Sequence, residues 1–261
     1  MASNEHIVRS FSKELHHLTD LISRMGGAAE AQLSAAITAA TQRNAAAAEK
    51  VREGDRMVDD YERAIESEAI RFLALRQPFA QDLREIVSAL KIAAELERIG
   101  DYAANVAKRT QAMAQLEPVR VMPTFARMGT LVLSILRDVM DAYSSRDVER
   151  AIAAWRRDEE LDELYTSMFR ELLTYLMEDP KTITACTHML FMAKNIERIG
   201  DHATNIAETI HYIVRGTALQ EDRPKNDESS FAIVTPDGFD TVDQGGSDQG
   251  EADKAGSGDK A

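Results

Sequence analysis

Apolar residues recur at intervals of three and four from residue 5 to about residue 215, and strand-like alternation is missing. This spacing, in a segment dominated by Ala, Glu, Leu, Arg and Met, predicts helix almost throughout. Pro78 and Pro180 each disfavour helix at the preceding residue. A short linker over residues 117–123 contains two further prolines. Gly216 suits a helix C-terminus. The predicted helices are 4–43, 46–75, 79–114, 121–144, 147–177 and 181–215.

One segment occurs twice, which indicates an internal repeat. Residues 97–101 and residues 197–201 both read Glu-Arg-Ile-Gly-Asp, and Asn105 and Asn205 follow at the same distance. The tripeptide Arg-Met-Gly at 24–26 likewise recurs at 127–129. Self-similarity at a nearly fixed offset is the mark of a repeat architecture, and short connections favour antiparallel neighbours. The sequence therefore predicts an all-α fold, a tandem repeat of two antiparallel three-helix bundles over residues 4–116 and 121–215.

The last part of the chain has a different composition. Gly, Ser, Asp, Gln and Lys crowd residues 236–261, few apolar residues remain, and the apolar segment 231–234 is the exception. A segment of this composition cannot bury enough surface to offset its ordering entropy, so a disordered acidic tail over residues 217–261 is predicted. The net charge of −13 includes eleven acidic against four basic residues beyond position 215, so the helical part is acidic too. Direct binding to duplex nucleic acid is disfavoured, because it requires basic patches.

The single cysteine, Cys186, excludes an internal disulfide and suits a reducing compartment. The N-terminus lacks the basic and apolar regions of a secretory signal, and no run approaches about 18 uninterrupted apolar residues. A cytoplasmic protein without membrane insertion is expected.

Acidic residues four apart lie one above the other on a helix. Three oxygen-bearing side chains therefore form one row in each half, and the preceding helix of each half adds an acidic pair at the same step. The rows are Glu97, Asp101 and Asn105, then Glu197, Asp201 and Asn205; the pairs are Asp55 with Asp59 and Asp158 with Asp162. If these faces meet, four carboxylates converge in each half.

A helical projection places the first row at the margin of the apolar face, so it is expected to be half-buried. Gly100 would allow another helix to approach closely. The positions expected to face solvent are instead Lys91, Glu95, Arg98 and Tyr102.

Two interpretations of the acidic rows stay open. Acids four apart are common on solvated helix faces, where arginines such as Arg98 and Arg198 form surface pairs worth about 0.5 kcal/mol. Acids repeated without flanking lysines, however, repel one another unless a cation lies among them. All-oxygen ligands favour Mg²⁺, Mn²⁺, Ca²⁺ or iron over structural zinc. His202 follows Asp201, but its counterpart is Tyr102, so it is interpreted as a local hydrogen-bonding residue.

No Gly-rich phosphate loop, nucleophile elbow or Cys–His spacing appears, which argues against catalysis. Two alternatives stay open. One is a carboxylate-bridged metalloenzyme, although the chain lacks the bundle histidines expected of one, and the other is a metal-free helical scaffold.

Two bundles carrying this duplicated pentad and asparagine resemble the PhoU family, accessory proteins of bacterial phosphate-specific transport, over residues 4–215. The resemblance implies a non-catalytic negative regulator of phosphate uptake and of the phosphate-starvation response. It also implies coupling between the ATPase subunit of the phosphate ABC transporter and a phosphate-sensing histidine kinase. A homodimer is implied, with Mg, Mn, Fe or Zn ions bound on the acidic motifs.

Overall fold

The computed structural model describes the backbone of residues 2–76, 80–221, 232–235 and 238–241, and side chains within 13–75 and 80–221. Residues 1–227 form one compact unit and residues 228–261 a second. In the described part of the first unit, the helices are α1 (Ala2–Thr41), α2 (Ala45–Gly54), α3 (Arg56–Arg76), α4 (Ala80–Met113), α5 (Met122–Ser145), α6 (Val148–Arg156), α7 (Asp158–Glu178) and α8 (Ile183–Arg215), with a 3₁₀ turn at Pro180–Thr182.

The all-α fold with six long helical segments is confirmed, and two of the six are interrupted once. The second segment divides into α2 and α3 at Asp55, and the fifth into α6 and α7 at Arg157. Both interrupting residues stay in the right-handed helical region (φ −55°, ψ −38° for Asp55 and φ −75°, ψ −9° for Arg157). Pattern alone does not reveal such a local change.

Equivalent residues begin the second segment of each half. Asn44 accepts a hydrogen bond from the backbone N–H of Ala47 at 3.0 Å, and Asp147 accepts one from Arg150 at 3.0 Å. Both side chains therefore satisfy an N–H group that has no partner within its helix. The preceding residues, Arg43 and Arg146, share a left-handed conformation with φ of 52° and 58°. The two halves thus turn the same corner with the same backbone geometry.

The predicted helix ends near Pro180 and Gly216 are confirmed. Asp179, which precedes the proline, is extended (φ −139°, ψ 103°). Gly216 adopts φ 77°, and its N–H donates to the carbonyl of Tyr212 at 2.9 Å. Pro78 lies outside the described residues.

Close approach between α1 and α5 explains the repeated Arg-Met-Gly tripeptide. A Cβ atom at Gly26 would collide with the Met140 side chain, and one at Gly129 would lie 2.7 Å from Cγ2 of Ile37. Each glycine therefore faces a large side chain of the other helix, and the two contacts are reciprocal. α4 and α8 also pack along each other, so the two halves share one hydrophobic core. The division into bundles at 4–116 and 121–215 stays a prediction.

The predicted tail lies mainly outside the described residues. Its described residues are 217–221, which form neither helix nor strand, and an antiparallel pair of strands, β1 (Ala232–Thr235) and β2 (Gly238–Thr241), which the tail prediction did not include. Within the described residues, no helix combines the length and apolar character needed to cross a membrane.

Candidate functional site

The acidic row of the first half faces the acidic pair on the preceding helix. Glu97 and Asp101 on α4 lie near Asp59 and Glu62 on α3, close enough for all three neighbours to raise the pKa of Glu97. We call Asp55, Asp59, Glu62, Glu97 and Asp101 the first acidic cluster. Three of the predicted carboxylate ligands of this half, Asp59, Glu97 and Asp101, are therefore brought together by α3 and α4. Asp55 lies at the interruption between α2 and α3, and Glu62 is a fifth acid that the sequence analysis did not single out. Its position three residues after Asp59, on the same helix face, was the available signal.

Burial and like charge together perturb the first cluster. Burial is the largest cause that raises the pKa of Glu97 to about 7; repulsion from Asp101, Glu62 and Asp59 adds to it, and Arg98 opposes it. The Glu97 and Asp101 side chains are 23% and 44% exposed, and Arg98 lies 3.6 and 3.9 Å from their carboxylates. This exposed arginine compensates the cluster only in part. Glu97 and Asp101 are half-buried, as predicted for the row, whereas Asn105 is exposed.

Gln32 of α1 forms hydrogen bonds beside the first cluster. Its Nε2 donates to Oδ1 of Asp55 at 2.6 Å and to the carbonyl of Gly100 at 3.3 Å. A Cβ on Gly100 would lie 3.2 Å from Oε1 of Gln32 and 3.3 Å from Val58. The glycine of the pentad thus admits both α1 and α3, which agrees with the close approach expected at this position. Asn105, one turn beyond Asp101, is exposed, and among the described residues no hydrogen bond or ion pair joins it to the cluster.

The second half buries its acids more deeply. Asp158, Asp162 and Glu197 are only 1%, 3% and 5% exposed. With Asp201 they form what we call the second acidic cluster, between α7 and α8. A Cβ on Gly200 would lie 2.5 Å from both Oδ1 of Asp158 and Cδ2 of Leu161. The equivalent glycine of the pentad is therefore the reason that α7 can bring its carboxylate against α8.

A lysine contacts the second cluster, contrary to the expectation that the repeated acids lack flanking lysines. Nζ of Lys194 lies 2.9 Å from Oε1 of Glu197 and 4.8 Å from the centre of the Tyr165 ring. Burial raises the pKa of Glu197 to about 7, with Asp201 and Asp162 adding to the increase and Lys194 opposing it. Oε2 of Glu197 is buried and has no hydrogen-bond partner. The lysine lies three residues before the glutamate, a spacing visible in the sequence.

Asn205 and His202 belong to the contact between α4 and α8 rather than to a ligand row. Asn205 donates to Oε2 of Glu95 at 3.1 Å, and Nδ1 of His202 lies 2.6 Å from the same oxygen. The rings of Tyr102 and His202 are 5.4 Å apart. Glu95 and Tyr102 are thus half-buried, and the expectation that they face solvent was wrong because the projection omitted α8. Burial raises the pKa of Glu95, but the hydrogen bonds from His202 and Asn205 outweigh it and lower the pKa overall.

The donor sets of the two clusters differ in their fit to a metal ion. Among the described residues, no three carboxylate, imidazole or thiol groups are arranged so that they could hold one ion. The first cluster nevertheless offers five oxygen donors and no lysine, a composition that suits a hard cation. The second cluster already has an ammonium group against Glu197, and its donor set does not fit a metal ion in the same place.

The fold and the duplicated clusters define a helical protein built from two copies of one domain. The family model described as the PhoU domain matches twice, over residues 22–110 and 125–210. The chain belongs to the PhoU family.

Similar proteins match over most of their length. The phosphate-specific transport system accessory protein PhoU homolog of Caulobacter vibrioides is 52% identical over 224 residues, which cover 85% of this chain and 97% of the relative. The protein PhoU of Escherichia coli K12 is 38% identical, with 82% and 88% covered. The crystal structure of PhoU from Pseudomonas aeruginosa superposes with a TM-score of 0.77 at 38% identity, covering 79% of this chain and all of that one. The phosphate transport system regulatory protein PhoU from Streptococcus pneumoniae gives 0.76 at 29% identity, with 81% and 100% covered.

Proposed function

We propose that this protein is an accessory regulator of a phosphate transport system, which restrains phosphate uptake and the phosphate-starvation response when phosphate is plentiful. One observation carries the proposal. The chain agrees in sequence and in fold with its relatives along nearly their whole length, and relatives of this kind are named as accessory proteins of phosphate-specific transport.

The finer proposal is that the protein is a non-catalytic cytoplasmic adaptor, active as a homodimer. It would couple the ATPase subunit of the phosphate ABC transporter to a phosphate-sensing histidine kinase. The names "accessory protein" and "regulatory protein" of the relatives support an adaptor over an enzyme.

We further propose that the first acidic cluster binds a divalent or trivalent cation of Mg, Mn, Fe or Zn. Asp59, Glu97 and Asp101 are the central candidates to hold it, with Asp55 and Glu62 beside them. The raised pKa of Glu97 supports this proposal, because burial and, after it, repulsion from Asp101, Glu62 and Asp59 disfavour the charged carboxylate, and Arg98 opposes them only in part. A bound ion would supply the missing positive charge, and the chain's own contribution is to present oxygen donors from α3 and α4 to one place.

The regulatory role is tested in a strain that lacks the protein and carries a phosphate-responsive reporter. We expect high reporter expression in phosphate-replete medium, and repression when the wild-type chain is restored. Pull-down from the replete cells should recover a transporter ATPase and a histidine kinase. Unchanged reporter expression in the deletion strain would contradict the regulatory role, and recovery of neither partner would contradict the adaptor.

The role of the cation is tested in the same strain with Asp101→Asn. We expect weaker repression than with the wild-type chain, because the first cluster loses one charged donor. Asp60→Asn is the matched control, since Asp60 lies on α3 with its side chain 73% exposed and pairs with the surface residue Arg63. Equal repression by both variants would contradict a regulatory role for the first cluster.

A further inference from the structure

The two clusters occupy equivalent places, but two of their positions carry opposite chemistry. On α4 and α8 equivalent residues are 100 apart, so Lys194 corresponds to Ala94. On α3 and α7 they are 103 apart, as for Asp59 and Asp162, so Tyr165 corresponds to Glu62. The second half therefore has a lysine and an aromatic ring where the first half has a methyl group and a carboxylate.

These two differences between the halves meet at one contact. The Lys194 ammonium is held between Oε1 of Glu197, at 2.9 Å, and the face of the Tyr165 ring, at 4.8 Å. An aromatic face attracts a cation, whereas a carboxylate at that position would add to the negative charge of the cluster. The lysine side chain is only 30% exposed and Glu197 only 6%, so solvent screens this pair weakly.

We propose that Lys194 is a built-in cation of the second acidic cluster and takes the place that a metal ion would take there. Metal binding is thereby confined to the first half, and the part of this inference that concerns the first half rests on the function proposed above. The second half keeps its carboxylates buried by means of a covalently attached charge.

The balance of charge in each cluster supports this assignment. The first cluster has five carboxylates, and Arg98, which lies near Glu97 and Asp101, has a side chain that is 61% exposed. The second has four carboxylates and the Lys194 ammonium inside it. A metal ion entering the second cluster would have to displace an ammonium that is tethered three residues away and cannot diffuse out. The same ion entering the first cluster displaces only an exposed guanidinium, which solvent readily receives.

The experiment exchanges the two equivalent residues in the full-length chain. Lys194→Ala gives the second half the alanine of the first, and Ala94→Lys gives the first half the lysine of the second. Metal-free protein is equilibrated with Mn²⁺ as the probe, and bound manganese per chain is measured by elemental analysis after removal of free ion. We expect the Lys194→Ala variant to bind one more ion than the wild type, and the Ala94→Lys variant to bind one fewer.

Further variants show where the gained ion binds and guard against a variant that fails to fold. Adding Asp201→Asn to Lys194→Ala should remove the gained ion, which places it in the second cluster. If Lys194→Ala does not fold by circular dichroism, Lys194→Met keeps the apolar stem and removes only the charge. A folded variant whose manganese content equals that of the wild type would overturn the inference, as would a wild-type chain that binds an ion lost with Asp201→Asn.

The outcomes separate the two proposals. A wild-type chain without manganese, combined with a gain in Lys194→Ala, would contradict the proposed metal function of the first cluster and support the role of Lys194. One ion in the wild type that Asp101→Asn removes, with no gain in Lys194→Ala, would support the first cluster and reject the role of Lys194.

Discussion

The two acidic clusters descend from the same pentad and yet solve the problem of buried negative charge differently. In the first, Glu97 and Asp101 keep 23% and 44% of their side chains exposed, and water shares the compensation. In the second, Asp158, Asp162 and Glu197 are almost completely buried, and Lys194 lies against them. Deep burial is tolerated where the chain supplies a cation, and partial exposure is retained where it does not.

This difference originates outside the duplicated segment. Gln32, which bonds to Asp55, corresponds to the apolar Ile135, and Lys194 corresponds to Ala94. Neighbouring helices therefore decide what an identical pentad does. A repeated motif predicts repeated placement of side chains, but it does not predict repeated chemistry.

Removal of the internal cation should produce the largest difference between the halves. In metal-free buffer, Lys194→Ala should lower the free energy of unfolding by about 2–3 kcal/mol, because it leaves the buried Glu197 uncompensated, although proton uptake by Glu197 limits the loss. Lysine at position 94 should change stability by less than about 1 kcal/mol, because Ala94 is exposed. Denaturant unfolding with chelator measures both. Equal effects would contradict the contrast between a compensated and an uncompensated cluster.

Substitution of the pentad glycines should have the next largest effect. Gly200→Ala would place a Cβ 2.5 Å from Asp158 and Leu161, whereas Gly100→Ala meets its neighbours at 3.2 Å or more. Overpacking costs about 1–3 kcal/mol, and replacing a helical glycine by alanine gains up to about 1 kcal/mol. We expect a net loss of about 1–2 kcal/mol at position 200 and little change at position 100. Thermal unfolding of the two variants provides the test, and a larger loss at position 100 would reverse the comparison.

The pH dependence of the first cluster should be the smallest of these effects. The pKa of Glu97 is raised from 4.5 to about 7, so the folded state holds this proton more tightly than the unfolded state. Its stabilising contribution is complete below about pH 4.5 and is lost as the pH rises through about 7, by roughly 1 kcal/mol after allowance for solvent screening. Glu97→Gln should remove this part of the pH dependence in chelator, and Asp60→Asn should leave it. Parallel stability curves for Glu97→Gln and the wild type would show that Glu97 does not carry the effect.

Much of the fold follows from local rules, and this explains which predictions are confirmed. Pro180 and Gly216 act on their own few residues, so their effect on the backbone can be derived without knowing the neighbours. The interruptions at Asp55 and Arg157 keep helical dihedrals and leave no comparable signal. The exposure of Glu95 was mispredicted because it depends on a helix more than one hundred residues away.

The candidate site was predictable where it depends on spacing along one helix, and not where it depends on contacts between helices. The spacing of four residues places Glu97 and Asp101 on one face, and the repeat locates their counterparts. Glu62 and Lys194 could have been identified from the sequence, since each lies three residues from a predicted ligand. The repeat offsets also show that the equivalent positions in the other half carry a tyrosine and an alanine. The depth to which Asp158 is buried depends on Gly200 and Leu161 together, and spacing along one helix does not contain that information.

The most direct test of the account is the location of manganese in crystals of the full-length protein, by anomalous diffraction at the manganese edge. The account predicts manganese only between α3 and α4, beside Asp59, Glu97 and Asp101, and density from Lys194 rather than from an ion between α7 and α8. A manganese peak beside Glu197 and Asp201, at comparable or higher occupancy, would contradict it.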